Sequence, residues 1–333
     1  MMNHTLKNRC SFKPGEVIEG KWHKNKYTII KELGNGANGI VYLAWHQNRH
    51  VALKISENSM SITSEVNVLK SFAKVQGSTL GPSLMDVDDW KSRQGMVSFY
   101  AMEYITGSDL LSFIERNGKS WVAVLIIQLL NDLEQLHRNG WIFGDLKPEN
   151  LIVTGPPTRI RCIDVGGTTI RGRAIKEFTE FYDRGYWGLG SRKAEPSYDL
   201  FAVGMVIINT AYPKRFHKQT GGMHQLTEAI RQKPELQRLE PVIFKSLRGQ
   251  YSNAKQMRQE LLSLATASSR TMKKQDGEMM HQLKPTPAPL KQNKLRLQRY
   301  SPKKKKKGGV VETLFILAVV AAFYFLYISG KLF

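Results

Sequence analysis

The sequence predicts an α+β protein with two lobes, a small strand-rich lobe followed by a larger helical lobe, and a single C-terminal transmembrane helix. Short apolar runs with glycine turns fill residues 25–106, whereas apolar residues recur every three or four positions along much of 107–264. A basic, proline-containing linker then leads to a long apolar run. The predicted boundaries are an N-terminal extension at 1–24, a two-lobed domain at 25–264, a linker at 265–309, a transmembrane helix at 310–329 and a short tail at 330–333.

The small lobe contains short apolar runs that are separated by glycine or polar turns. Runs of this length that are rich in β-branched and aromatic residues are typical of strands. The spacing of Glu65, Val68 and Leu69 gives one apolar face and indicates a short helix among them. The predicted strands are Tyr27–Leu33, Ile40–Ala44, Val51–Ile55 and 96–105.

The pattern becomes helical from Asp109 onward. In the segment Trp121–His137 the apolar residues recur every three or four positions, which predicts a long helix with a buried face. Leu200–Ala211 and Ala254–Ala265 are predicted to be helices as well. A site that draws on both lobes is therefore expected between them.

Charge and cysteine content restrict the classes of function. The 333 residues carry a formal net charge of +21, and residues 270–307 hold thirteen Lys and Arg against two acidic residues. About half of the excess charge thus belongs to the linker. No nucleic-acid-binding module accompanies it, and we expect no nucleic-acid partner. The two cysteines, Cys10 and Cys162, are too few for a disulfide framework, which favours a reducing compartment.

The apolar run Val310–Ser329 has about the length that crosses a bilayer. A buried core helix is the alternative, but the run lies beyond a linker and lacks an amphipathic stripe. Lys303–Lys307 precede it directly, and such a basic cluster stays on the cytoplasmic side and attracts anionic lipid headgroups. The sequence therefore predicts a single-pass protein of the cell membrane with a C-terminal anchor and a cytoplasmic main domain. Several copies of the chain could also associate through this helix and form a homo-oligomer.

One loop between two apolar runs concentrates polar groups that suit phosphate chemistry. An eight-residue run, Phe-Gly-Asp-Leu-Lys-Pro-Glu-Asn, ends at Asn150, and Ile-Asp-Val-Gly follows the next apolar run. Asp145 can accept the proton of an attacking hydroxyl, and Lys147 can neutralise charge on a transferring phosphoryl group. Asn150 and Asp164 are candidate Mg²⁺ ligands. These residues predict phosphoryl transfer from ATP with Mg²⁺, which Mn²⁺ could replace.

A glycine-rich loop joins the first two predicted strands. Its Gly-x-Gly-x-x-Gly pattern also occurs in dinucleotide-binding folds, but there a helix follows, whereas here a β-branched run resumes at once. A strand-loop-strand arrangement suits a flap of backbone N–H groups over the phosphates of ATP, and a plain hairpin is the alternative. No Gly-Lys-Ser/Thr follows, which excludes a Walker-type phosphate loop. The loop consists of Gly34, Asn35, Gly36, Ala37, Asn38 and Gly39.

Together these motifs resemble those of the eukaryotic-type (Hanks-type) protein kinases, along which residues 25–264 can be aligned. The resemblance also rests on Val-Ala-Leu-Lys, which ends at Lys54, and on Met-Glu-Tyr-Ile, which ends at Ile105. It implies a two-lobed kinase fold that binds ATP between the lobes. It also implies protein substrates that are phosphorylated on Ser or Thr, because Lys147 resembles the Ser/Thr branch of the family.

The resemblance further implies which residues hold the nucleotide. Lys54 would contact the α- and β-phosphates, with Glu65 as its partner on a truncated helix. Glu57 is the competing carboxylate, but it lies too near Lys54 in sequence. The backbone of Glu103 and Ile105 would bind adenine. The remaining implied contacts are Val41, Ala52 and Ile152 around the purine, Met102 at the inner end of the pocket, and Asp109 at the ribose or at a basic substrate residue.

Phe143 and Gly144 replace the usual His-Arg of the family before Asp145. A phenyl ring can fill the place of the imidazole, but glycine cannot replace the arginine that clamps a phosphorylated activation loop. The pair His137-Arg138 lies upstream, at a helix end, and is not its counterpart. We therefore hypothesise a kinase that does not need activation-loop phosphorylation.

Other departures concern the segment after the metal-binding motif. Val165 replaces the customary Phe, and Arg184-Gly185-Tyr186 stands where the family has Ala-Pro-Glu. The ion pair that would tie this segment to Arg248 should therefore be absent. Asp199 still matches the buried aspartate that supports the catalytic loop in the family.

Two alternatives to an active protein kinase stay open at the level of sequence. The altered residues around Asp145 and Asp164 would suit a pseudokinase scaffold that binds nucleotide without turnover. The pair Gly144-Asp145 also occurs in small-molecule kinases of the aminoglycoside or choline type. The complete set of catalytic groups argues against the scaffold, and Lys147 argues against the small-molecule enzyme.

Overall fold

A computed structural model describes residues 10–36, 38–74, 80–92, 95–219 and 221–266. These residues form the two predicted lobes. The small lobe consists of a six-stranded sheet and one helix. Its elements are β1 (Val17–Glu19), β2 (Lys26–Gly36), β3 (Gly39–His46), β4 (Arg49–Ser56), α1 (Ser59–Lys74), β5 (Leu84–Ser92) and β6 (Gly95–Glu103).

The sheet of the small lobe has the strand order β1-β2-β3-β4-β6-β5, and all neighbours are antiparallel. Successive side chains of a strand point to opposite faces of the sheet, so one strand contributes residues to two different cores. Tyr42, Leu53 and Phe99 fill a core on one face. Ala52 and Met102 belong instead to the core that includes α1 and the large lobe. The sheet thereby forms the roof of any cavity between the lobes.

The folded domain begins earlier than residue 25, the predicted boundary. Ile18 in β1 is fully buried, and the carbonyl oxygen of Cys10 accepts a hydrogen bond of 2.6 Å from the hydroxyl of Tyr42. A strand of three residues is too short for its alternation to be recognised in the sequence. Residues 10–24 are therefore part of the small lobe rather than an extension.

Two aspartates of β5 fasten this N-terminal segment to the sheet. Asp88 accepts hydrogen bonds from the backbone N–H groups of Trp22 and His23, at 3.0 and 2.8 Å. Asp86 accepts one of 2.8 Å from the side chain of Asn25. The acidic residues interrupt the apolar pattern of β5, and the sequence analysis consequently missed this strand.

Helix α1 has 16 residues, so the prediction of a truncated helix was wrong. The short distance in sequence between Lys54 and Glu65 results from the connection, because only two residues separate β4 from α1. The side chain of Asn58 accepts a hydrogen bond of 3.1 Å from the backbone N–H of Ser61, as a helix-capping residue does. A full-length helix therefore starts immediately after the strand.

The large lobe is mainly helical. Its strands form a three-stranded sheet and a separate two-stranded pair. The helices are α2 (Leu110–Asn117), α3 (Trp121–Arg138), α4 (Arg184–Trp187), α5 (Pro196–Ala211), α6 (Met223–Arg231), α7 (Pro234–Gln237), α8 (Glu240–Leu247) and α9 (254–266). The strands are β7 (Ser108–Asp109), β8 (Trp141–Ile142), β9 (Leu151–Thr154), β10 (Arg159–Cys162) and β11 (Thr169–Ile170).

Helix α5 lies at the centre of the large lobe. All but one of its sixteen residues are buried. It is apolar on every side, which is the pattern of a helix that is surrounded by protein. Its first turn carries Asp199, whose fully buried carboxylate points to a role for this helix in holding other segments.

Within the ranges that the structure describes, no helix is both long and apolar enough to cross a membrane. The predicted transmembrane helix at 310–329 and the basic cluster Lys303–Lys307 lie outside those ranges.

Candidate active site

A cavity of ≈ 630 Å³ lies between the lobes. Strands β2, β3 and β4 supply its roof, the connection from β6 to β7 its side, and β9 with the loop before it its floor. The volume lies in the range of about 300–1,000 Å³ that is usual for small-molecule sites. The predicted site residues in its wall are Gly34, Asn35, Val41, Ala52, Lys54, Met102, Glu103, Ile105, Asn150, Ile152 and Asp164.

Lys54 and Glu65 form a buried ion pair, with 2.5 Å between Nζ and Oε2. The hydroxyl of Tyr100 donates to the same carboxylate oxygen at 2.7 Å, and that of Ser61 donates to the other at 3.2 Å. Burial beside Glu65 raises the pKa of Tyr100 well above its ordinary value, so the hydroxyl remains a donor. A buried ion pair needs such additional hydrogen bonds to be held firmly. The ammonium of Lys54 is thus fixed in the cavity wall.

The glycine loop forms the tip of the hairpin between β2 and β3. A smaller cavity of ≈ 230 Å³ lies beneath it and continues the larger one. At Gly39 the backbone angle φ is +128°, and a Cβ atom would lie 2.4 Å from the carbonyl oxygen of Ile55, so only glycine fits. The loop residues in the wall of this cavity are Gly34, Asn35, Gly36, Asn38 and Gly39, and Ala37 lies outside the described residues.

The side chain of Asn38 crosses the cleft. Its amide donates a hydrogen bond to the carboxylate of Glu177, which belongs to the large lobe. Both residues line the smaller cavity. This contact was not predicted, because the two residues are 139 positions apart in the chain and no local sequence pattern links them.

The connection between the lobes is held by a pair of charged residues. Glu103 and Arg161 form two hydrogen bonds, of which the one between Arg161 Nη2 and Glu103 Oε2 measures 2.9 Å. These bonds, more than any other influence, lower the pKa of Glu103. The backbone N–H of Glu103 donates to the carbonyl of Ser83 at 2.9 Å. The backbone of Glu103 therefore has a fixed position at the side of the cavity, next to Met102 and Ile105.

The catalytic loop places Asp145 and Lys147 together. Lys147 Nζ lies 2.5 Å from Asp145 Oδ2, and the hydroxyl of Thr179 lies 3.3 Å from Asp145 Oδ1. Lys147 also lies within 3.4 Å of Thr179. An acceptor carboxylate, a cation and a hydroxyl thus lie together, which is the equipment expected for proton and phosphoryl transfer. None of these three residues is among those that line the two cavities.

Asn150 and Asp164 form the floor of the large cavity. The amide nitrogen of Asn150 donates to the carbonyl of Asp145 at 3.0 Å, which leaves the amide oxygen as its candidate ligand atom. Asp164 Oδ1 accepts the N–H of Gly166 at 2.9 Å, which leaves Oδ2 as the second candidate ligand atom. Carboxylate and amide oxygens are donors that Mg²⁺ prefers, so these residues fit the metal.

Asp199 supports the catalytic loop from behind. Its two oxygens accept hydrogen bonds from the backbone N–H groups of Phe143 and Gly144, at 2.8 and 2.9 Å. His137 Nε2 lies 2.8 Å from the oxygen that Phe143 contacts. His137 lies at a helix end, as predicted, but it also supports the loop through Asp199, a role that no sequence motif indicated.

Gly144 brings the catalytic loop into backbone contact with the segment after Asp164. Its φ angle is +85°, and a Cβ atom would lie 2.5 Å from the carbonyl oxygen of Gly167. A Cβ atom on Gly167 would in turn lie 2.7 Å from Cβ of Asp145. The two glycines therefore allow this approach, and an arginine in place of Gly144 would not fit the observed geometry.

Ion pairs between nearby residues hold the segment around Arg184 in place. The buried guanidinium of Arg184 pairs with Glu195 at 2.7 Å, and fully buried Asp183 pairs with Arg192 at 2.7 Å. The guanidinium of Arg248 lies over the ring of Phe244. Two local ion pairs thus hold the segment that lacks the Ala-Pro-Glu sequence of the family.

Asp109 has a structural role that was not predicted. Its carboxylate accepts a hydrogen bond of 2.9 Å from the backbone N–H of Ser112 and caps helix α2. Asp109 is not among the residues that line either cavity. Its contact with the ribose or with a basic substrate residue stays a prediction.

Comparison with known proteins agrees with this geometry. The family model described as "Protein kinase domain" matches residues 27–276, more than half of the chain. The serine/threonine-protein kinase YabT of Bacillus subtilis is 53% identical over 338 residues, which cover 98% of each chain. The match is therefore not confined to the catalytic motifs.

More distant relatives match only in part. A probable serine/threonine-protein kinase of Clostridium acetobutylicum is 32% identical over 136 residues, 39% of this chain and 20% of that protein. The serine/threonine-protein kinase pkn3 of Myxococcus xanthus is 28% identical over 207 residues, 56% of this chain and 38% of that protein. The chain thus belongs to the protein kinase family, as a Hanks-type serine/threonine kinase of the bacterial kind.

Proposed function

We propose that this kinase transfers the γ-phosphoryl group of ATP to serine or threonine hydroxyls of protein substrates, with Asp145 as the base. The contact of Asp145 with Lys147 and Thr179 carries the proposal, and the backbone carbonyl of Asp145 accepts a hydrogen bond from Asn150, which lines the cavity. Asp145 accepts the proton of the substrate hydroxyl, and Lys147 neutralises charge on the transferring oxygens. Thr179 orients the carboxylate.

The remaining roles follow from the walls of the cavity. The ammonium of Lys54, held by Glu65, binds phosphate oxygens of ATP. Val41, Ala52 and Ile152 enclose the purine, and the backbone at Glu103 and Ile105 binds its edge, with Met102 at the inner end. Mg²⁺, or Mn²⁺ in its place, would be bound by Asn150 and Asp164 and would neutralise phosphate charge.

The test of this proposal uses the full chain in detergent with labelled ATP, Mg²⁺ and a basic protein substrate. Asp145→Asn should lower the rate by about a hundredfold or more, since that is the usual contribution of a general base. Asp132→Asn, the same chemical change on α3 and outside the cavity walls, is the control and should leave the rate unchanged. Equal rates in the wild type and Asp145→Asn would refute the role of Asp145.

The pseudokinase alternative predicts a different result. Nucleotide would stabilise the wild type and Asp145→Asn equally, with no phosphate transfer by either protein. The presence of Lys54, Asn150 and Asp164 in the cavity wall, with the backbone of Asp145 hydrogen-bonded to Asn150, favours turnover instead. The similarity to a serine/threonine-protein kinase along 98% of the chain favours protein substrates over small molecules.

We further propose that activation-loop phosphorylation is not required. Backbone hydrogen bonds hold the segment after Asp164 to the large lobe: β11 pairs with β8, and Arg171 N donates to Gly140 O at 2.9 Å. Thr168 and Thr169 are buried, so neither hydroxyl is accessible in this conformation. In other kinases a phosphorylated residue and an arginine hold this segment in place. Here the backbone hydrogen bonds hold it instead.

Phosphatase treatment tests this second proposal. The treated wild type should keep its activity toward the protein substrate, and so should the variant Thr168→Ala/Thr169→Ala. Loss of activity on dephosphorylation, with recovery after rephosphorylation of Thr168, Thr169 or Thr179, would contradict it.

We also propose that the chain is anchored in the cell membrane by 310–329, with the kinase domain in the cytoplasm and Lys303–Lys307 on anionic lipid. The length of the apolar run and the charge beside it support the proposal.

The full chain should float with vesicles, whereas a variant that lacks 310–333 should not. Replacing the five lysines by glutamine should weaken binding to anionic vesicles only. Cross-linking of the full chain in vesicles tests association through the helix.

A further inference from the structure

Tyr100 and Lys54 lie opposite each other on neighbouring strands. In the antiparallel pair of β4 and β6, the register partner of Lys54 is Tyr100. Residues that are directly opposite project their side chains from the same face of the sheet, with Cβ atoms about 4.5–5.5 Å apart. Both residues line the nucleotide cavity. The register of this strand pair therefore presents an ammonium group and a hydroxyl group side by side to helix α1.

These two groups donate to the same carboxylate oxygen. Oε2 of Glu65, on α1, accepts hydrogen bonds from Lys54 Nζ at 2.5 Å and from the hydroxyl of Tyr100 at 2.7 Å. A carboxylate oxygen has two lone pairs, so it can accept both donors. Glu65 is 3% exposed and Tyr100 is 1% exposed. Loss of the hydroxyl would therefore remove a donor that water does not readily replace.

The other oxygen of Glu65 is held by its own helix. The hydroxyl of Ser61, one turn earlier on α1, donates to Oε1 at 3.2 Å. This bond is longer than the one from Tyr100, and Ser61 is only half-buried. The carboxylate is thus held from β4, from β6 and from α1. All of these residues belong to the small lobe, so the network does not use the segment after Asp164.

The hydroxyl of Tyr100 is relevant to ATP because Lys54 has two tasks. An ammonium group has three N–H donors, and in the proposed function Lys54 shares them between Glu65 and the phosphate oxygens of ATP. The charged phosphate oxygens compete with Glu65 for these donors. Tyr100 donates to Glu65 whichever partner the ammonium takes, and so keeps the carboxylate in place while the phosphates bind.

We propose that Tyr100 is a positioning residue for ATP, whose hydroxyl fixes Glu65 and, through Glu65, the ammonium of Lys54. The inference rests on the proposed role of Lys54 in phosphate binding. The ring of Tyr100 has a separate role, because it belongs to the core that also contains Val66 and Leu69 of α1. Phenylalanine at this position keeps the ring and removes only the hydroxyl, so one substitution separates the two roles.

The small lobe also contains a matched control. Tyr27 of β2 is fully buried, and its hydroxyl donates to the carboxylate of Asp86 at 2.7 Å. Neither Tyr27 nor Asp86 is among the residues that line the nucleotide cavity or the smaller cavity beneath the glycine loop. Tyr27→Phe therefore removes a hydrogen bond of the same length to the same kind of acceptor. If the hydroxyl of Tyr100 were purely structural, Tyr100→Phe and Tyr27→Phe would have the same effects.

The test measures the affinity of the full chain in detergent for ATP with Mg²⁺, by calorimetry, together with denaturant unfolding of each variant. Tyr100→Phe should bind ATP roughly tenfold more weakly, as expected when a hydrogen bond to a charged group is lost. Tyr27→Phe should bind ATP like the wild type, although both variants should lose stability. In a Glu65→Ala background, Tyr100→Phe should weaken binding no further, because the hydroxyl acts through Glu65.

Equal ATP affinity in the wild type and Tyr100→Phe would overturn the proposal. Equal losses of affinity in Tyr100→Phe and Tyr27→Phe would do the same, as would a tenfold loss that persists in the Glu65→Ala background. The proposed function is judged separately, from phosphate transfer by the wild type. If the wild type binds ATP but transfers no phosphate, the proposed function fails, and the affinities still decide the role of Tyr100. A wild type that binds no ATP would refute both.

Discussion

Two glycines decide how closely the catalytic loop and the segment after Asp164 approach each other. Gly144 has a left-handed backbone, and any Cβ atom there would overlap the carbonyl oxygen of Gly167. From the sequence, Gly144 was interpreted as the loss of an arginine and as part of a Gly-Asp pair that small-molecule kinases share, but not as a backbone requirement. In the structure the backbone contact with Gly167 requires a glycine at position 144, and this explains why no arginine stands there.

The first prediction compares Gly144→Ala with Gly140→Ala. Both positions have a left-handed backbone, with φ of +85° and +80°, but a Cβ atom on Gly140 would meet nothing within 4 Å. Gly140→Ala should lower the free energy of unfolding by about 1–2 kcal/mol through backbone strain alone. Gly144→Ala should cost about 1–3 kcal/mol more because of the overlap, and it should also lower activity.

Urea denaturation of the two full-length variants, followed by fluorescence, measures the difference. The contact between the two glycines would be unimportant if both variants lost the same free energy of unfolding.

The residues with proposed roles in phosphoryl transfer were the easiest part of the site to predict. Asp145, Lys147 and Asn150 share one short loop, so their spacing reveals them. Tyr100 and the Asn38–Glu177 contact could not be found in this way. They are brought to the site by pairing of strands and by packing of the lobes, and no local pattern encodes those distances.

At the scale of elements, the long helices and the central strands were predicted well because their periodicity extends over many residues. Helix α3 was predicted to within one residue of its observed end. In the small lobe the elements not predicted were β1, which is short, and β5, which has an acidic face. In both cases tertiary hydrogen bonds, rather than an apolar pattern, explain why the strand forms.

The second prediction concerns β1. Ile18 is fully buried, whereas its neighbour Val17 is 52% exposed on the other face of the strand. Ile18→Ala should lower the free energy of unfolding by about 2–5 kcal/mol, because it leaves a cavity in the core of the small lobe. Val17→Ala is the matched control and should change it by only about 0.5 kcal/mol, as surface substitutions do.

Denaturant unfolding of both variants provides the measurement. If residues 10–24 were a dispensable extension, the two substitutions would have the same small effect, and removal of residues 1–24 would leave the stability unchanged.

At the scale of the whole molecule, the two lobes are joined by contacts at both ends of the cleft. The ion pair between Glu103 and Arg161 lies at the connection between the lobes, which is called the hinge below. The hydrogen bond between Asn38 and Glu177 lies under the glycine loop. Each contact joins a residue of the small lobe to one of the large lobe. The cavity between the lobes is thus flanked by two polar contacts, and the contact between Glu103 and Arg161 depends on the charge of Glu103.

The third prediction is a pH dependence that arises from Glu103. Hydrogen bonds from Arg161 hold the pKa of Glu103 below its ordinary value of 4.5 in the folded protein. A carboxyl group whose pKa is lowered by folding contributes stability above its unfolded pKa, and this contribution disappears as the pH falls through the folded value. Glu103→Gln should therefore be less stable than the wild type at pH 7, and the difference should shrink below about pH 4.5.

Denaturant unfolding between pH 3 and pH 7 measures this difference. Glu115→Gln is the control, since Glu115 is exposed and has no ion pair among the described residues, and its pH profile should follow that of the wild type. A stability difference between Glu103→Gln and the wild type that stays constant across the range would mean that the hinge pair does not couple protonation to folding. A difference that shrinks in acid would establish the hinge pair as a pH-dependent connection between the lobes.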